Sequence, residues 1–395
     1  VLNPTTATLA SLLVSVIVAI ATPASAFVGL CCAKCGGNMP MNIPGAGVPE
    51  THEFRIKGSF SFMRMGGLRD GTDSLDADAL LGMPVMDGTP TGKFMAVPLD
   101  MDMYMASLAV GYSFTDELFG GIMFMWMKKD MNMKLSPQMQ TLTGVDGFPM
   151  ESDGLGDTML VAKYRLYADD PLFPTSQLSL FLGLSLPTGS INEKNSRHPV
   201  ADRRDEQLPY AMQLGSGTFD PIVGVVYQGS ASPWWWGGDL LYTPRFYKNS
   251  RDYNLGDEVR LDLYAMYQLR YDLVTQVQLN GKWWGKIEGE MDEFKSGRSG
   301  RTVAGDPTSP PATPLWDTDN YGGTQLFATL GLQWQPFPLH ILDVQVGFPL
   351  FRHLNGPQLE QDLRLMVTWY VEIPTPASIR YLSKKKDKAG SSLGF

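Results

Sequence analysis

Two segments in the first third of the chain, Leu99–Phe114 and Leu118–Met133, alternate with period two on either side of the turn Thr115-Asp116-Glu117. Side chains on a strand point to opposite faces in turn, so each parity is one face. The even face carries Leu108, Val110, Tyr112, Phe114, Leu118, Ile122, Phe124 and Trp126. The odd face carries Met101, Met103, Met105, Met123, Met125, Met127, Met131 and Met133. Pairing across the turn sets Met105 opposite Met127 and Met101 opposite Met131, a ladder of thioethers behind an aromatic and aliphatic face. Similar alternation recurs near 52–65, 157–168, 177–187, 218–229, 234–248, 258–271, 273–287, 323–335, 339–352 and 359–373. With the hairpin this makes about twelve segments, each near the length a tilted strand needs to cross a bilayer.

The connections sort by length. Thr115–Glu117, Asp169–Ser176, Ser230–Pro233, Tyr271–Leu273 and Pro336–Pro338 are short; Gly66–Val97, Lys134–Gly156, Thr188–Gly217, Asn249–Asp257 and Gly289–Gly322 are mostly long, and Leu354–Gln358 is the exception. Short turns on one side and long loops on the other are the pattern of outer-membrane barrels, and an even strand count puts both termini on the short-turn, periplasmic side. A soluble sandwich accommodates any one of these strands. It does not account for the aromatics near strand ends, among them Trp234–Trp236, Trp283, Trp334 and Trp369, which suit interfacial girdles. The fold expected is all-β: a single antiparallel transmembrane barrel of about twelve strands over 52–373.

The N-terminus strengthens this. Leu9–Ala21 is an apolar core followed by Pro23 and Ala24-Ser25-Ala26. This reads as a signal peptide over 1–26, with a retained anchor helix as the alternative. Residues 27–51 are rich in Cys, Gly and Pro and read as a loop or short plug; 374–395 is a basic tail on the periplasmic side. Its terminal aromatic, Phe395, suits recognition by barrel-assembly machinery. The chain has 395 residues and a net charge of -9. That charge excludes nucleic acid, whose phosphates need a basic surface. Mean hydropathy is near neutral, too low for a bundle of membrane helices. The expected location is a Gram-negative-type outer membrane, with lipid and a small solute as partners.

Catalytic signatures are missing. The histidines are His52, His198, His340 and His353, with no nucleophile elbow, zincin motif or phosphate loop around them. The expectation is a transporter and not an enzyme, with no cofactor unless the barrel takes Cu(I). Met63, Met65, Met101, Met103, Met105, Met123, Met125, Met127, Met131 and Met133 fall on the interior parity, with the charges Arg260, Asp262, Arg270, Lys282, Asp362 and Arg364 on other strands. Such a lining suits a hydrated channel for small solutes, or a closed barrel that is structural or sleeves a partner protein. Thioether and thiolate also select soft ions. Cys31, Cys32 and Cys35 with Met101, Met105, Met123 and Met127 therefore form a candidate Cu(I) or Ag(I) relay, against which stands methionine as a flexible apolar filler.

Two motifs carry a resemblance. Gly154-Leu155-Gly156-Asp157-Thr158 runs into Ala162-Lys163-Tyr164-Arg165, and Gly183-Leu184-Ser185-Leu186 runs into Pro187-Thr188-Gly189. Both resemble strand boundaries in the outer-membrane transporters grouped as the MetA-pathway of phenol degradation family. The resemblance covers the barrel roughly from its third strand on. It implies an outer-membrane channel of about twelve strands linked to uptake of aromatic compounds, and no catalytic residues. The Cys-rich start and the methionine ladder lie outside it.

Overall fold

The structure, a computed structural model, describes residues 39–86, 89–170 and 174–380. Eleven strands close a barrel: β1 Glu53–Gly71, β2 Ala96–Ser113, β3 Leu118–Leu135, β4 Thr158–Ala168, β5 Ser176–Leu186, β6 Asp220–Ala231, β7 Trp234–Thr243, β8 Glu258–Arg270, β9 Leu273–Trp284, β10 Gly323–Trp334 and β11 His340–Pro374. Every strand pairs antiparallel with its sequence neighbours, and β11 closes the ring onto β1. The 35-residue β11 crosses twice. Its first half runs antiparallel to β10 and its second half antiparallel to β1, reversing at Asn355-Gly356. That hairpin is the short connection Leu354–Gln358. Two further strands of the same sheet lie outside the ring: Asp73–Leu75 on the end of β1, and Gly147–Leu155 along the loop end of β3. No described helix is long and apolar enough to cross a membrane.

Burial separates a membrane barrel from a soluble sandwich. Polar side chains point inward and are covered: Asp262 is 1% exposed and Asp343 0%. Their apolar neighbours point outward and are bare: Leu261 is 47% exposed and Trp369 57%. Such an inside-out pattern is stable only where the outer face meets hydrocarbon. Trp234, Trp236, Trp283 and Trp334 are exposed in the same way. Trp235 alternates inward and is buried, so only its two neighbours belong to the outer aromatic face.

The hairpin β2–β3 pairs Met105 with Met127 and Met101 with Met131, and Phe124 and Trp126 are exposed on the outer face. Strand ends differ from the sequence pattern where the backbone dictates. β7 stops at Thr243 because Pro244 has no N–H to give the ladder. The expected loop Lys134–Gly156 contains the strand Gly147–Leu155, which extends the β3 ladder beyond the ring.

Candidate functional site

The bore is divided in two. At the end bearing the short turns, residues 39–48 fold back from the start of β1 and cross the lumen as a plug. Met39, Met41, Ile43 and Ala46 are fully buried against Phe181, Val226, Leu241, Tyr264, Met266 and Tyr370 of the wall. The wall grips the plug through its main chain. Gln333 Nε2 donates to Met39 O at 2.8 Å, Lys57 Nζ to Met41 O at 3.1 Å, Lys163 Nζ to Gly45 O at 3.4 Å and Arg55 Nη1 to Gly47 O at 2.6 Å. Met41 N in turn donates to Asp343 Oδ2 at 3.3 Å, and Asn42 Nδ2 to Gln278 Oε1 at 2.8 Å. The plug therefore spans the bore from β1 and β4 on one side to β9, β10 and β11 on the other. Gly47 makes its turn possible: φ is +69°, and a Cβ there would sit 2.6 Å from the Tyr370 ring.

At the loop end, the connections after β5 and β9 fold inward as a lid. Leu208, Tyr210 and Met212 are buried, and Tyr210 packs edge-on against Tyr253 (4.8 Å between centroids), Trp316 (5.8 Å) and Tyr321 (5.7 Å). Polar anchors hold the lid down. Lys129 Nζ donates to Ala211 O (2.8 Å) and Gln213 O (2.6 Å), and Ser152 Oγ to Met212 O (2.7 Å). The Asp157 carboxylate accepts from Gly189 N at 2.9 Å and Ser216 N at 2.8 Å. His198, buried under the lid against Phe148, has its pKa lowered to about 4, chiefly by burial and then by Arg203. Burial likewise raises the Glu206 carboxyl and the Tyr210 hydroxyl.

Between lid and plug lies a cavity of about 590 Å³. One wall is methionine: Met63, Met65, Met101, Met103, Met123, Met125, Met127, Met131 and Met159. The facing wall is mixed, with Arg245, Glu258, Lys282 and Trp284. Gly156 leaves room for two of the thioethers. A Cβ there would stand 2.8 Å from Met127 Cε and 3.3 Å from Met125 Cε. The volume and the mainly apolar lining with a few polar groups are those of a small-molecule site.

The remaining candidates scatter by height along the bore. Met105 is half-buried between Ser61 and Met127 in the strand register. Met133 lies at the loop end, clustered with Met131 of the chamber wall and with Met139, Phe148 and Met150. Lys282 pairs with Glu258 at 2.8 Å, on the cavity wall. Arg260 approaches Asp262 at 3.5 Å, deeper in the bore. Arg364 donates to Asn280 Oδ1 (2.8 Å) and Thr329 Oγ1 (3.0 Å), and Asp362 pairs with Arg352 (3.0 Å) near the loop end. Arg270 is a correction. A bulge after Gln268 breaks the alternation, and Arg270, 63% exposed, pairs with Asp272 in the turn instead of lining the bore. Cys31, Cys32 and Cys35 lie outside the described residues, as do 1–26 and most of the basic tail. Among the described residues no three His, Cys, Asp or Glu side chains converge as a metal site, so thioethers are the soft donors on offer. The plug anchors Arg55, Lys57 and Gln333 and the lid residue Tyr210 carry no sequence signal, since their partners are remote in the chain.

A Pseudomonas putida F1 outer membrane channel is similar over 82% of this chain and 97% of that one, at 13% identity and a TM-score of 0.50. The Pseudomonas putida toluene transporter TodX matches over 83% and 91% at 10% identity and a TM-score of 0.38. The transport unit of the Escherichia coli autotransporter AIDA-I matches over 87% and 96% at 9% and 0.40. The first shares the fold; the other two are too loose to carry an argument. A comparison with curated proteins finds no match. The profile of one family matches residues 114–308, from the β2–β3 turn to the lid segment after β9. These residues, just under half of the chain, match the family described as putative MetA-pathway of phenol degradation.

Proposed function

We propose that the protein is an outer-membrane channel for small aromatic or hydrophobic solutes, with the long loops outside and both termini in the periplasm. The observation that carries this reading is the methionine-walled chamber of about 590 Å³ held between lid and plug. A dry cavity of roughly 150 Å³ already holds benzene, so one or two single-ring compounds fit. Thioethers adapt to varied apolar shapes and make favourable contacts with ring edges. In this reading a solute passes the lid, rests against Met103, Met125 and Met127, and leaves when the plug yields. Radiolabelled toluene uptake into vesicles with a lipopolysaccharide outer leaflet tests it. Uptake should rise with the protein present and fall in Gly156→Leu, whose side chain enters the chamber. Uptake identical with and without the protein, together with no toluene binding to the purified barrel, would leave only a structural barrel or a sleeve for a partner.

The thioether wall favours one second reading, a soft-ion path for Cu(I) or Ag(I). Anaerobic Ag(I) titration decides. The ion reading requires tight binding that is lost when Met101, Met105, Met123 and Met127 become Leu, and the solute reading requires none.

A further inference from the structure

Below the chamber, on the wall beside the plug, Asp239 of β7 and Asp262 of β8 stand directly opposite each other in the antiparallel register. Directly paired residues on one face hold their Cβ atoms about 5 Å apart. Both are enclosed, at 3% and 1% exposure. Asp262 has partners: Asn280 Nδ2 donates to Oδ1 at 2.7 Å, and Arg260 approaches Oδ2 at 3.5 Å. Asp239 has none, since neither of its oxygens meets a donor.

A buried hydroxyl lies next along the same inward face. The Tyr264 hydroxyl also lacks a partner, and the residue is 5% exposed. Its ring lies over Gly237, the residue opposite it on β7, where a Cβ would come within 2.6 Å of the hydroxyl oxygen. Gly237 pairs with Gln228 of β6 on its other side, so the ring reaches across β7 toward Gln228, one step along the face from Asp239. Asp239 Oδ1 and Oδ2 and Asp262 Oδ2 thus meet no hydrogen-bond donor, and the nearest cation, Arg260, stands 3.5 Å from Asp262 Oδ2.

The charge count says what fits. Arg260 balances one of the two carboxylates and leaves one negative charge over. The other charged groups facing the site are committed elsewhere or further off. Lys163 of β4 donates to Gln228 and the plug, Arg364 of β11 to Asn280 and Thr329, and Glu258 is paired with Lys282. Buried charge persists only when paired or neutralised. A divalent cation would overcompensate beside Arg260 and find too few ligands for its usual six or more oxygens.

We propose that Asp239 and Asp262 share one monovalent cation, a proton or an alkali ion, bound between them. Glu258, Arg260 and Asp262 alternate along β8 from the chamber wall to this site, so the chamber is the side from which the ion arrives.

The full-length barrel is tested in detergent at neutral pH, in N-methylglucamine chloride and then in NaCl or KCl at equal ionic strength. Infrared difference spectra between wild type and Asp239→Asn isolate the carboxylic-acid carbonyl band of this pair, and sodium-23 relaxation reports Na⁺ binding. A band present in all salts and lost in Asp239→Asn identifies the proton. A band that Na⁺ or K⁺ removes, with sodium relaxation that falls to baseline in the variant, identifies the alkali ion. No variant-sensitive band in N-methylglucamine and no sodium binding overturns the proposal. Heat-modifiable migration on gels checks folding. Asp262→Asn supplies the second variant, and the wild-type sodium measurement stands without either.

Discussion

Ile43→Asp should unplug the bore while leaving the barrel intact. Ile43 is fully buried within the plug and packs in the cluster that includes Val226, Leu241 and Tyr370. Losing that burial costs about 2–3 kcal/mol. The carboxylate that replaces it must either shed its hydration in an apolar cluster or leave, a further few kcal/mol against the seated state. Together these move the balance between seated and displaced plug by at least about 4 kcal/mol, close to a thousandfold. No barrel strand includes residue 43, so folded protein should keep its heat-modifiable migration on gels. Ile43→Val is the matched control: it costs about 0.5–1.5 kcal/mol and shifts the balance by tenfold or less. Conductance across planar bilayers reads the difference, with a sustained open current in Ile43→Asp and near-native traces in Ile43→Val. Native conductance in a folded Ile43→Asp barrel would show that residues 39–48 do not limit passage.

Three further outcomes follow from other parts of the bore. Met→Leu at Met101, Met105, Met123 and Met127 conserves apolar volume, so each should cost less than about 1.5 kcal/mol and leave thermal stability and toluene uptake near native. Gly111→Ala should destabilise the β1–β2–β3 region by roughly 1–3 kcal/mol, visible as a lower unfolding temperature, because the new Cβ would meet the Phe119 ring at 2.3 Å and Arg55 Nε at 3.1 Å. The lid should loosen in acid. The His198 pKa is depressed to about 4 in the folded state against 6.5 unfolded, so its contribution is complete above 6.5 and is lost as pH falls through 4. The loss is bounded by about 3 kcal/mol, less whatever water screens. Protection against hydrogen exchange over 195–208, corrected for the intrinsic exchange rate at each pH, should fall between pH 7 and pH 4.5 in the wild type and stay flat in His198→Gln.

The wall of this barrel was legible because one rule repeats along it. Phe124 and Trp126 alternate with Met123, Met125 and Met127, so a single register decision places all five, and the pairing of Met105 with Met127 comes with it. Arg270 shows where the rule stops. One bulge residue shifts parity, and hydropathy alone does not reveal the extra residue between Gln268 and the turn. Trp235 shows a milder limit: in a run of three tryptophans, composition hides the alternation that geometry enforces. The strand Gly147–Leu155 was hidden because its partner is the loop extension of β3, beyond the expected strand end.

What fills the bore was not legible, for a different reason. The plug has no period, since its backbone satisfies itself on wall side chains and not on a ladder. Met41 meets Asp343 across 302 positions of sequence, and Met39 meets Gln333 across 294. Seen as single strands, Lys57 and Asp343 are unremarkable polar residues on an inward face. The folded chain gives them a common task. A polar barrel wall has more hydrogen-bonding groups than its own neighbours can satisfy, and a buried group left unmet is costly. A segment that offers main-chain carbonyls and amides without a rigid shape meets that demand around the ring. The same chemistry recurs at the other end, where Lys129 takes the carbonyls of Ala211 and Gln213 in the lid. Only the methionine wall between them asks for no such partner. Thioethers accept an apolar neighbour or none, so the chamber stays free of inserted chain where the wall is least polar. The ladder first visible as alternation in one hairpin thereby determines where the bore remains open.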